Sequence, residues 1–117
     1  ADVGNKGLLE IADAVKDLSE RARSGSIKSD ELVGGTFTIS ILGVVDGFTP
    51  ILNQSQVALL GVGRSVQKPV VKSGEVVIRE IMTLSLTGDH QVVDGAVAAS
   101  FFRRLQQAIE RPANLFK

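Results

Sequence analysis

Apolar residues recur at intervals of three and four from Leu8 through Ile11, Ala12, Val15 and Leu18 to Ala22, with Glu10, Asp13, Lys16, Asp17, Glu20 and Arg21 between them. This is the spacing of one helical face, and it predicts an amphipathic helix. Asn5 stands where a cap could sit. At the far end, in "RSGS", Arg21 and Arg23 suit the negative helix terminus and Gly25 can take the left-handed stop. Ser29-Asp30-Glu31-Leu32 reads as one capped turn. The period then falls to two. In "TFTISIL", Phe37, Ile39 and Ile41 alternate with Thr36, Thr38 and Ser40, which predicts a strand with one apolar and one hydroxyl face.

Gly43, Asp46-Gly47 and Pro50 are turn residues, and "VALLGVG" after them is the near-continuous apolar run of a strand buried on both sides. "PVVKSGEVVIREIMTLSLTG" predicts two strands meeting at Lys72-Ser73-Gly74-Glu75, the second one long and ending at Gly88. From Gly95 the spacing is helical again through Val97, Ala98, Phe101, Phe102, Leu105, Ala108 and Ile109, ending before Pro112, with Asp94 placed to cap the first turn. Two helices and four or five strands predict an α/β chain, a two-layer α+β sandwich. Its apolar runs are too rich for a single solvated sheet, so more cover is expected than these elements supply.

The length of 117 residues suits one domain. The 44% hydrophobic and 22% charged residues are the balance of a globular protein. Thirteen basic and thirteen acidic side chains cancel, without a basic block, so no nucleic-acid partner is expected. No stretch approaches the roughly 18 apolar residues of a membrane helix, and the start has no secretory pattern, so no membrane partner is expected either. Without cysteine there is neither a disulfide framework nor a thiolate metal site, which agrees with a reducing compartment.

The sole histidine, His90, lies between Asp89 and the Asp94-Gly95 pair. A lone histidine at a strand end is more often a satisfied or surface residue than a catalyst. Here it follows a long apolar strand able to hold it, and an unperturbed imidazole, titrating near about 6.5, suits proton exchange at neutral pH. A cysteine-histidine dyad is impossible, and no G-x-S-x-G elbow accompanies a serine. A base here must act on a group the substrate brings.

"DHQVVDGAVAASFF" resembles the His-x-x-x-Asp-Gly signature of the dihydrolipoamide acyltransferases, the E2 components of 2-oxo acid dehydrogenase complexes. "LLEIADAVKDLSERARSGSI", "GGTFTISILG", "FTPILNQSQVALLGVGR" and the closing helix resemble the same family in the same order. The resemblance implies a chloramphenicol acetyltransferase-like fold, a mixed sheet covered by helices, here as the C-terminal part of the catalytic domain over residues 1–117. The lipoyl and peripheral-subunit-binding domains fall outside it.

The resemblance also implies the chemistry. His90 would take the proton of the coenzyme A or dihydrolipoamide thiol, Ser40 would hold the negative tetrahedral intermediate, and Asp94 and Gly95 would complete the signature. From spacing alone, Ser40 is simply a polar residue on the wet face of its strand. Coenzyme A and the lipoyl group are expected as substrates, with no metal; the residues that bind them are not identified. Acetyl transfer is favoured over succinyl or branched-chain transfer.

The expected partners are two further copies in a homotrimer, built into a cubic or dodecahedral core, with E1 and E3 components reached through the other domains. The closing "RPANLFK", with Leu115 and Phe116 beyond Pro112, would dock on a neighbouring trimer. The bacterial cytoplasm, or the mitochondrial matrix in a eukaryote, is the expected location. Two departures from the family stand out: Gln91 replaces the usual arginine, and the "VVDG" loop is short. The competing functions are a catalytically silent core subunit and an antibiotic acetyltransferase of the same fold.

Overall fold

The structure is a computed structural model that describes residues 2–52 and 56–116. It consists of two compact units, Ala1–Gly35 and Thr36–Lys117. The "NQS" part of the FTPILNQSQ stretch, residues 53–55, and Lys117 lie outside the described residues.

The first unit is built around helix α1, Leu8–Ser24. Ile11, Ala14, Leu18 and Arg21 form its half-buried line. Gly25 ends it in the left-handed conformation at φ 75°, its N–H donating to the Arg21 carbonyl, as the sequence predicts. The start differs from expectation. Asn5 belongs to a preceding 3-10 turn, Val3–Asn5, and its Nδ2 donates to Asp2 Oδ2 at 2.7 Å. Gly7 takes the cap position with no side-chain bond, so Asn5 sits too far upstream to reach the first free amides. A second 3-10 turn, Ser29–Leu32, follows, with the Lys28 N–H donating to Glu31 Oε2 at 2.9 Å. Arg21 joins the two segments, donating to Asp17 at 2.9 Å and to Glu31 at 2.6 Å.

Among the described residues, the second unit holds five strands and one long helix. Strand β1, Thr38–Ile41, runs parallel to β2, Ala58–Val62. On the other side of β2, β5, Leu84–Gly88, runs antiparallel, giving a mixed sheet in the order β1-β2-β5. Strands β3, Val66–Lys72, and β4, Glu75–Ile81, form a separate antiparallel pair. Their turn has Ser73 at φ 53° and Gly74 at φ 80°, two successive positive values as in a type I′ hairpin.

The single long strand expected up to Gly88 is therefore two strands. β4 spends its backbone groups on β3, and after Met82 and Thr83 the chain changes sheets, with the Thr83 carbonyl accepting the Gly63 N–H at 3.0 Å. Strand β1 is shorter than "TFTISIL" suggests. Helix α2 spans Gly95–Glu110, and a 3-10 turn, Pro112–Phe116, follows it.

Cross-strand register sorts the side chains of the mixed sheet. Ser40 pairs with Gly61 and Gly61 with Ser85; Thr38 pairs with Leu59 and Leu59 with Thr87. These residues share one face, because alternation is strict along a strand. Ile39, Leu60 and Leu86 share the other. Among the described residues, the buried hydrophobic residues Ala58, Leu59 and Leu60 belong to β2, the central strand, and Pro50, outside any strand, is buried as well. In β1 the hydroxyl residues Thr38 and Ser40 are half-buried, whereas Ile39 and Ile41 are 59% and 69% exposed. Ser40 on a wet strand face, the reading that spacing alone favours, is thus reversed.

Candidate active site

Strand β5 delivers the chain to His90 through a tightly bonded turn. The Asp89 N–H donates to the Val57 carbonyl at 2.9 Å, tying the turn to the residue before β2. The Asp89 carbonyl accepts from Val92 at 2.9 Å and from Val93 at 2.8 Å, and its Oδ1 accepts the Gln91 N–H at 2.9 Å. Asp89 thus organises the turn through its N–H, its carbonyl and its carboxylate, leaving His90 exposed at the tip.

Asp94 then starts α2. Its backbone is extended, its Oδ1 accepts the Val97 N–H at 2.9 Å, and its carbonyl accepts the Ala98 N–H at 3.1 Å. The side-chain bond satisfies an amide that the first helical turn leaves free, as the sequence predicts. A pocket of about 140 Å³ opens between these elements, lined by Leu86 and Gly88 of β5, His90, Asp94, and Ala98 and Phe102 of α2. Gly95, the first helical residue, also borders it. The structure therefore gathers His90, Asp94 and Gly95 around one small apolar-walled recess.

Ser40 is elsewhere. It lies on the sheet face of Gly61 and Ser85, opposite that of Leu86, and is not among the residues lining the pocket of the same chain. Phe37, ahead of β1, does reach the helix: its ring lies 6.1 Å from that of Phe101. The hydroxyl face has its own fixed contacts. Thr38 Oγ1 donates to Gln56 Oε1 at 2.5 Å, and Thr87 Oγ1 donates to the Pro50 carbonyl at 2.6 Å.

Several of these residues escape sequence reasoning. Asp89 carries a signal that could have found it, since an aspartate opening a short polar turn favours bonds to the amides that follow. Thr87 carries none, because its partner, Pro50, is distant in sequence. The same holds for Arg64, whose Nε bonds the Asp46 carboxylate. That bond, and then the Arg64 charge, holds the Asp46 carboxyl below its usual range.

Over residues 1–117 the chain matches the family model of the 2-oxoacid dehydrogenases acyltransferase (catalytic domain). It is 40% identical over 109 residues to the dihydrolipoyllysine-residue acetyltransferase component of the pyruvate dehydrogenase complex of Staphylococcus epidermidis, covering 92% of this chain and 25% of that protein. The protein of the same description from Staphylococcus aureus is 39% identical over the same length. Among solved structures, the Azotobacter vinelandii dihydrolipoamide acetyltransferase (E2p), in which the catalytic roles of a serine, a histidine and an asparagine have been investigated, superposes with a TM-score of 0.88 at 39% identity. That likeness covers 99% of this chain and 49% of the other.

A truncated catalytic core of the 2-oxoacid dehydrogenase multienzyme complex from Thermoplasma acidophilum gives a TM-score of 0.78 at 37% identity, over 95% of this chain and 49% of that one. The chain thus spans about a quarter of the length of these curated relatives and about half of these solved chains. The mixed α/β architecture is that of the acyltransferase catalytic cores, the chloramphenicol acetyltransferase-like fold that the sequence resemblance implies. With sequence and fold in agreement, the chain belongs to the 2-oxoacid dehydrogenase acyltransferase family, within its catalytic domain.

Proposed function

We propose that this chain contributes His90 and Ser40 to sites that move an acyl group, acetyl in the favoured case, between dihydrolipoamide and coenzyme A. The observation that carries the reading is the placement of His90 on the pocket rim, on a turn fixed by Asp89 and a helix start capped by Asp94. His90 takes the proton of the incoming thiol, and the thiolate attacks the thioester carbonyl carbon to form the new C–S bond. The carbonyl oxygen becomes an oxyanion, stabilised by the Ser40 hydroxyl as donor. Collapse breaks the old C–S bond, and the imidazolium returns its proton to the leaving thiolate. A preorganised donor of this kind is worth on the order of 3 kcal/mol.

Asp94 serves as a positioning group. In the Azotobacter enzyme an asparagine stands four residues past the histidine, as Asp94 does past His90. Asparagine cannot relay a proton but caps a helix about as well as aspartate. The serine-to-histidine interval there is two residues longer than here, in keeping with the short loop after β1. Because Ser40 and the His90 pocket belong to opposite sheet faces, we place the complete site between copies, His90 from one and Ser40 from the next, in a trimer. Its assembly into a larger core has a parallel in the relative solved as the cubic core of the pyruvate dehydrogenase multienzyme complex, 38% identical with a TM-score of 0.88.

The deciding experiment is His90→Ala in the native full-length protein, assayed for transfer between acetyl-coenzyme A and dihydrolipoamide. Loss of at least about 100-fold in turnover is expected, the scale of removing a general base. Turnover close to wild type would overturn the assignment.

A further inference from the structure

The segment that follows β1, residues 42–50, passes over the sheet face that carries Ser40. It passes so close that a Cβ on Gly61, the register partner of Ser40, would be crowded, 3.0 Å from Phe48 Cζ and 3.2 Å from Pro50 Cδ. Phe48 and Pro50 therefore stand above the residue beside Ser40.

Two anchors hold this loop. At its near end the Arg64 N–H donates to the Val45 carbonyl at 2.8 Å, and Arg64 Nε bonds the Asp46 carboxylate. Gly63 lets the two backbones meet, since a Cβ there would lie 1.9 Å from the Asp46 carbonyl oxygen. At its far end Thr87 Oγ1 donates to the Pro50 carbonyl at 2.6 Å. One anchor follows β2 and the other belongs to β5, so the loop is fixed across the sheet at two separated points.

We propose that Arg64 and Thr87 are positioning residues for acyl transfer, a two-point latch that sets the height of Phe48 and Pro50 over the sheet and hence the clearance in which the Ser40 hydroxyl meets the acyl group. The inference rests on the reading of Ser40 given above. Neither side chain touches the reacting atoms; each acts through the loop. A donor displaced by a fraction of an ångström loses its fit to the developing charge while substrate binding elsewhere is retained.

The test uses the native full-length protein with acetyl-coenzyme A and dihydrolipoamide. Thr87→Val and Arg64→Gln are each expected to lower kcat about 5- to 20-fold with KM values changed less than about twofold. Thr87→Ser, which restores the donor, should recover kcat to within about twofold. In a Ser40→Ala background the latch substitutions should cost nothing further, because the group they position is gone. Arg64 is half exposed, so Arg64→Gln carries the test should Thr87→Val fail to fold. Unchanged kcat in the latch variants, or losses that multiply with that of Ser40→Ala, would overturn the latch and leave Ser40 in its role. A Ser40→Ala protein with unaltered kcat would overturn both.

Discussion

Asp94 Oδ1 accepts the main-chain N–H of Val97 at 2.9 Å, closing the first turn of α2 at the point where the chain leaves His90. Removing the carboxylate leaves that amide without its side-chain partner. Asp94→Ala should destabilise the protein by about 1 kcal/mol, and Asp94→Asn by much less, in urea unfolding. Equal losses for the two would mean that charge, and not capping, is what Asp94 supplies.

At Gly63 the steric conflict is between backbones, which have no rotamer by which to yield. Gly63→Ala should cost about 1–3 kcal/mol or more, since a Cβ 1.9 Å from the Asp46 oxygen forces the loop to move. At Gly43 nothing lies within 4 Å of an added Cβ. Gly43→Ala should therefore stay within about 0.5 kcal/mol of wild type. Comparing the two unfolding midpoints checks the close approach directly.

Glu31 is set up to report on pH. The hydrogen bond from Arg21, and next that from the Lys28 amide, hold its carboxyl at about 2, against an ordinary value of 4.5. A carboxyl depressed in the folded state contributes its stabilisation fully above the unfolded value and loses it as pH falls through the folded one. The support Glu31 gives to the Ala1–Gly35 unit should therefore decline between about 4.5 and about 2, and Glu31→Gln should flatten that decline. An NMR titration of the Glu31 side chain with its midpoint near 4.5 would contradict the pairing.

The proposed shared site has a mixing test. On the proposed mechanism, in which the Ser40 hydroxyl stabilises charge developing on the thioester oxygen, Ser40→Ala should lower kcat with little change in KM. If His90 and Ser40 act from different copies, co-assembling His90→Ala with Ser40→Ala subunits places some intact pairs in one trimer. The mixture should regain a measurable part of wild-type turnover. A mixture no more active than the mean of its parents would argue for a site within one copy.

Local rules found what is locally determined. The helices, the Gly25 stop, the Asp94 cap and the buried run of β2 all follow from spacing and from capping residues, which act over a few positions. What depends on distant partners stayed hidden. Nothing within "VVIREIMTLSLTG" marks the change of sheet at Met82 and Thr83, because that break is set by which strand each half pairs with. The alternation in "TFTISIL" shows two faces but not which one is covered; the loop bearing Phe48 and Pro50 decides that, and it lies outside the period. For the candidate site, His90, Asp94 and Gly95 were legible as a cluster because they are close in sequence. The opposed orientation of Ser40 required the register through Gly61.

Among the described residues, apolar burial centres on Ala58 to Leu60 of one strand, with Pro50 buried against Gly61. A hydrophobic centre this narrow favours low cooperativity. In isolation these 117 residues should melt over a broad temperature range, bind a fluorescent apolar dye before any heating, and lose solubility with rising concentration as Ile39 and Ile41 find one another on colliding molecules.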